Sequence, residues 1–222
     1  MKGKLVVIEG LDGSGKSTQI ALVKEKLEKD GFRTRRIKLP DYSSPSSTLV
    51  RMYLSGELGN APGDVNAYAA SAFYAVDRIA NYLRVWRDGY LDGELILADR
   101  YTTSNAYHQM TKLPYEQWDG YLAWLEDFEY GKLAIPKPDL VIYFDMPPDV
   151  SRKLISGRYG GDESRRDIHE ADTDYLESCG KAARYAADKL GWRVIRCAEN
   201  GGPLAIKDIA DQVYQTILGG IT

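Results

Sequence analysis

Five short runs along the chain are apolar, often β-branched and too short for helices: Lys4–Glu9, Thr34–Leu39, Glu94–Ala98, Leu140–Asp145 and Arg193–Cys197. That pattern predicts buried strands. Between them the apolar residues recur at helical spacing. Ile20, Leu22, Val23 and Leu27 form one stripe, closed by Asp30-Gly31. From Asp64 to about Arg87 the stripe is Val65, Ala69, Ala72, Phe73, Val76, Ala80 and Leu83. Trp118, Tyr121, Leu122, Leu125 and Phe128 repeat it, and Ile206, Ile209, Val213 and Ile217 mark a last helix. Strands alternating with helices imply right-handed crossovers, hence an α/β fold with a five-stranded parallel sheet flanked by helices on both faces. The expected organisation is a single domain over residues 1–222.

Three stretches break the periodicity. Pro40 to Ser47 is rich in Ser and Pro directly after the second strand, and Gly56 to Gly63 precedes the long helix. Ligands of open parallel sheets sit beyond the carboxyl ends of the strands, so the first stretch is placed to line a site. Gly157 to Asp167 combines Gly160-Gly161 with Arg158, Arg165 and Arg166. Its composition suits a flap closing over an anion, and by itself suits a solvated surface loop slightly better.

Charge and composition narrow the function. The 222 residues carry 29 Lys and Arg against 32 Asp and Glu, a net charge of −3. A balance so near zero lacks the basic footprint of a nucleic-acid or anionic-membrane binder. Cys179 and Cys197 are too few for a disulfide framework and have no metal-ligand spacing. The apolar run that begins at Leu5 stops at Glu9, too early for a signal peptide. No uncharged apolar stretch is long enough to span a bilayer. The expected location is the cytoplasm.

One motif carries chemistry directly. Gly10-Leu11-Asp12-Gly13-Ser14-Gly15-Lys16-Ser17-Thr18 leaves an apolar strand and opens an amphipathic helix. Glycines let the backbone turn its N–H groups inward, and the helix N-terminus adds partial positive charge. Lys16 is placed to reach the outer phosphates, and the Ser17 hydroxyl to ligate Mg²⁺. A nucleoside triphosphate with magnesium is the expected ligand. The motif does not say whether the γ-phosphate goes to water or to an acceptor.

The acceptor side rests on a resemblance. Ile8 to Gln19, Asp99-Arg100-Tyr101, Tyr74-Ala75-Val76-Asp77-Arg78, and Pro138 to Asp145 leading to Pro148 together resemble thymidylate kinases. The resemblance implies ATP as donor, dTMP as acceptor and a homodimer. It implies that Tyr74 stacks on the thymine, where the family usually has Phe, and that Arg78 meets the exocyclic oxygen. Without it, the plainer reading of Arg78 is a pair with a carboxylate such as Asp77. Arg100 corresponds to the arginine that binds the acceptor phosphate, and Asp12 to the carboxylate at the 3′-hydroxyl. Asp99 is expected to hold Mg²⁺ through water, with Glu9 in the same shell.

His108 or Tyr107 is expected near the sugar's 2′ position, and Asn105 and Gln109 near the base. The cradle lacks an arginine of its own, so the catalytic arginine is expected from the flap at 157–170: Arg158, Arg165 or Arg166. His169 reads as a surface residue of that flap, and Tyr175 as a possible substrate contact. Where the family often has Phe-Pro-x-Arg, this chain has Leu39-Pro40-Asp41-Tyr42. Tyr42 is then an acceptor contact, and Arg51 a candidate for the missing positive charge. Two rival functions remain: a nucleoside kinase using Glu9 as base, and a nucleotide-sensing switch.

Overall fold

The computed structural model describes residues 2–158 and 173–221, with backbone only at 155–158 and 173. Along the chain run β1 (Lys4–Gly10), α1 (Lys16–Lys29), β2 (Thr34–Lys38), α2 (Thr48–Leu54), α3 (Ala67–Asn81) and α4 (Arg87–Leu91). They are followed by β3 (Leu95–Asp99), α5 (Asn105–His108), α6 (Trp118–Glu126), β4 (Leu140–Asp145) and α7 (Pro148–Arg158). The last elements are α8 (Thr173–Leu190), β5 (Arg193–Arg196), a small β6–β7 hairpin (Ala198–Glu199, Gly202–Pro203) and α9 (Ile206–Ile221).

β1 to β5 form one sheet in the order β2-β3-β1-β4-β5, and each neighbouring pair is parallel. β1 lies at its centre, buried over all but its first residue. Side chains alternate across a strand, so β1 feeds two cores. Leu5 and Val7 join the larger one, with Tyr121, Leu125 and the small residues Cys179, Ala182, Ala183 and Ala186 of α8. Val6 and Ile8 join the other, with Ile20, Val23 and Leu27 of α1 and Ile209, Val213 and Ile217 of α9. The predicted strands thus reappear within a residue or so of their expected ends.

Two helical stripes differ from expectation. In α1 the buried line is Ile20, Val23 and Leu27, whereas Leu22 faces solvent, about 200° round the helix from Ile20. The long helix starts at Ala67, where the Asn66 side chain accepts the Ala69 N–H at 2.8 Å. It runs to Asn81 and passes through a wider turn, Tyr82–Trp86, into α4. Its buried face is Ala67, Ala70, Ser71, Ala75, Asp77, Arg78 and Asn81. Val76 and Leu83 of the predicted apolar stripe are instead about half exposed, at 50% and 48%. The polar face turns inward because partners wait there. Asp77 accepts the Asp41 N–H and the Ser46 hydroxyl, and Arg78 finds a buried carboxylate.

Candidate active site

β1 delivers the chain to the carboxyl edge of the sheet, and the loop to α1 turns back over it. Gly10, Gly13 and Gly15 take φ values of 151°, 79° and 87°, where side chains are strained. A Cβ on Gly10 would also fall 2.6 Å from the Ser14 hydroxyl and 3.2 Å from Phe144. No side chain caps α1 at Gly15, so its first N–H groups are free to serve an anion. The Lys16 ammonium folds across the loop, donating to the Gly10 and Leu11 carbonyls at 2.7 and 3.0 Å. Burial, helped by the charge of Arg100, brings its pKa down to about 8 against the pull of Asp12, Asp99 and Glu9. The Ser14 hydroxyl is buried without a partner among the described residues, while Thr18 sits exposed on the first turn of α1.

Below the cradle the Ser17 hydroxyl donates to Asp99 Oδ2 at 2.7 Å, and Arg36 of β2 donates to the same oxygen at 3.1 Å. Ser17 and Asp99 are hard oxygen donors of the kind Mg²⁺ takes, and one hydrogen bond already spans them. Among the described residues no three His, Cys, Asp or Glu gather as a metal cage. That fits magnesium, which uses one or two carboxylates plus phosphates and waters.

Glu9, expected in the same shell, makes its hydrogen bonds with other partners. Ile8 and Asp99 are register partners that share the α1 face, and alternation sends Glu9 to the opposite face. There its carboxylate accepts the Tyr101 N–H at 3.1 Å, the Thr103 hydroxyl at 2.6 Å, Ser104 at 2.8 Å and Tyr107 at 2.8 Å.

This knot carries Arg100, which sits at φ 70° directly after β3. Its guanidinium donates to Asp12 at 2.7 Å and to the Tyr107 hydroxyl at 2.9 Å, and lies 3.2 Å from His108 Nε2. The pair bridges the cradle and the residues that follow β3. Burial alone would raise the Asp12 carboxyl, but Arg100 and Lys16 together hold it well below the ordinary range. Tyr107 and His108, the two rivals for the sugar, both meet Arg100. Tyr107 is the more committed, since its hydroxyl also serves Glu9. Tyr175 donates to the His108 carbonyl at 2.8 Å and so helps to fix that residue.

Arg78 pairs with Glu129 and not with its neighbour Asp77. Nε and Nη2 grip the two carboxylate oxygens at 2.6 and 2.8 Å, with both side chains buried. Thr102 and Asn105 donate to the same carboxylate at 3.3 and 3.4 Å. Asn105 is therefore tied to the carboxylate that holds Arg78. Gln109 is fully buried, and neither of its amide atoms has a partner among the described residues.

Tyr53, unmarked in the sequence reading, stands edge-on to Tyr74 at 6.5 Å and tilted against Phe73 at 6.4 Å. Lys112 donates to its hydroxyl at 2.9 Å and to the Val65 carbonyl at 2.8 Å, and burial brings this lysine to about 8.

Arg51, the candidate for a phosphate-binding charge, is engaged within its own loop. Its guanidinium donates to the carbonyls of Tyr42 (2.9 Å) and Ser44 (3.2 Å) and to the hydroxyls of Ser47 and Thr48. It staples its own loop and leaves the Tyr42 ring exposed at the surface. Arg158 ends α7, while Arg165, Arg166 and His169 lie outside the described residues. Both cysteines are buried thiols that burial pushes up to about 12. No described helix is long and apolar enough to cross a membrane.

A glycine cradle alone would suit many triphosphate-binding proteins. Here a half-buried arginine, fixed by the residues that follow β3, faces the same loop through Asp12. By class, the molecule is a phosphate-binding-loop nucleotide kinase. A solved thymidylate kinase from Candida albicans superposes with a TM-score of 0.69 over 98% of this chain and 92% of that one, at 22% identity. The family model for thymidylate kinase matches residues 8–201. A thymidylate kinase of Mycobacterium tuberculosis is 28% identical over 90% of this chain and 95% of its own. A probable thymidylate kinase of Thermococcus gammatolerans is 30% identical over 99% and 100%. The chain belongs to the thymidylate kinase family and is a phosphotransferase.

Proposed function

We propose that the chain transfers the γ-phosphoryl group of ATP to dTMP, giving dTDP and ADP. The observation that carries this reading is the Arg100–Asp12 pair at 2.7 Å, which supports Arg100 as the cation for the acceptor phosphate and Asp12 as the carboxylate for its sugar. The cradle at Gly10, Asp12, Gly13, Ser14, Gly15, Lys16, Ser17 and Thr18 binds the donor phosphates through N–H groups and the Lys16 ammonium. Tyr74 offers an aromatic face to the thymine. Arg78, held at two donors by Glu129, keeps Nη1 for the base, which has an acceptor oxygen where cytosine has an amino group. Ser17 and Asp99 would hold magnesium, which when bound would supply charge neutralisation at the transferring phosphoryl.

A monophosphate oxygen is ionised at neutral pH and attacks without a general base. Rate then comes from alignment and charge, and an arginine supplied from the segment 157–170 is the remaining element. Glu9, saturated by four donor groups, is poorly suited to deprotonate a nucleoside 5′-hydroxyl. We assign the whole chain to one cytoplasmic domain that works as a homodimer. The half-exposed Val76, Leu83 and Val85 support that assembly.

The test is an assay of the thymine, uracil, cytosine and guanine monophosphates, and of thymidine, with ATP and Mg²⁺. Preferred turnover of dTMP is expected. Faster phosphorylation of thymidine, or hydrolysis unaffected by any acceptor, would overturn the reading. Arg100→Ala is expected to remove transfer.

A further inference from the structure

Two donors converge on one carboxylate oxygen at the expected metal site, and one of them is a cation. Asp99 Oδ2 accepts Ser17 Oγ at 2.7 Å and Arg36 Nη2 at 3.1 Å. Asp99 is 3% exposed and Arg36 32%. β2 separates its two arginines by alternation. Arg35 turns to the far face, gripping Glu94 at 2.5 and 3.1 Å, while Arg36 points along the α1 face to Asp99. No motif quoted above includes Arg36.

We propose that Arg36 is a resident counter-cation of the metal site. It holds Asp99 oriented while no divalent ion is bound, and it competes with the ion for the same oxygen. A guanidinium and a divalent cation within a few ångströms repel, so the ion is held well only when a triphosphate adds negative charge. Arg36 is thus a positioning residue that couples metal retention to nucleotide binding. This inference rests on the reading that Ser17 and Asp99 hold magnesium.

The test titrates Mn²⁺ into the nucleotide-free full chain, following free Mn²⁺ by electron paramagnetic resonance. Arg36→Gln is expected to bind Mn²⁺ about tenfold more tightly than the natural chain, a margin that shrinks when a non-hydrolysable ATP analogue saturates the site. Arg36→Lys keeps the charge and is expected to stay near the natural value. Thermal melting checks the fold, and Arg36→Met, which keeps an apolar stem, replaces Gln if that variant melts early. Equal or weaker Mn²⁺ affinity in the neutral variant, including binding absent from both, would sink the inference while leaving dTMP phosphorylation intact. Unchanged Mn²⁺ affinity in Asp99→Asn would remove the metal assignment and the inference together.

Discussion

Lys16 shows how a single residue's surroundings tune its chemistry. Burial and Arg100 lower its pKa from 10.5 to about 8, so the free enzyme loses the ammonium as pH rises past that value. ATP binding needs the charge, and kcat/KM for ATP is expected to fall above about pH 8. A flat profile from pH 7 to 9.5 would contradict it. The stability effect has the opposite sign. Between about 8 and 10.5 the unfolded lysine holds its proton better than the folded one, so this group makes the fold more stable as pH rises through that window.

Arg78 and Glu129 illustrate a second residue-scale effect. Glu129→Ala leaves a buried guanidinium without its carboxylate and is expected to cost about 3–5 kcal/mol in urea unfolding. Adding Arg78→Leu should recover part of that loss, and strict additivity of the two changes would refute the coupling. Sequence alone suggested Asp77 as the partner, because it is adjacent. Adjacent residues on a helix do not face each other, and only the fold brings Glu129 across 51 positions.

Among the elements, the strands are the most legible. A buried parallel strand is a run of apolar residues whichever neighbours it has, so its extent can be read locally. Helical faces are less so. In α1 the line Ile20–Val23–Leu27 is core, and Leu27→Ala is expected to cost about 2–5 kcal/mol. Leu22→Ala, on the wet side, should stay within about 0.5 kcal/mol. Equal losses from the two would mean that α1 packs by the other face.

The inversion of α3 has a different cause. Asp77 is drawn inward by donors from Asp41 and Ser46, and Arg78 and Asn81 by the carboxylates of Glu129 and Asp41 to which they donate, and this outweighs the burial of Val76 and Leu83. The cradle's glycines, by contrast, announce themselves, since a Cβ on Gly10 meets both Ser14 and Phe144.

For the whole molecule, the apolar residues stranded on α3 and the turn after it bear on assembly. If they are covered by a second copy, Val76→Glu is expected to shift the protein from dimer to monomer in light scattering at micromolar concentration. A monomeric natural chain would remove the dimer from the proposed function. The cradle, Asp99 and Arg100 meet because two neighbouring parallel strands, β1 and β3, end at one edge.

The sequence by itself determined the strands, the alternation that builds the sheet, and the phosphate cradle. Each depends on local conformation, namely residue shape, spacing and the φ angles open to glycine. Tertiary structure alone decided which donors Glu9 takes, that Arg51 staples its own loop, that Arg78 takes Glu129, and that Arg36 reaches Asp99. A charged side chain's partner is fixed by which strands and helices become neighbours. Electrostatic contacts act across space, and the distance along the chain does not encode them.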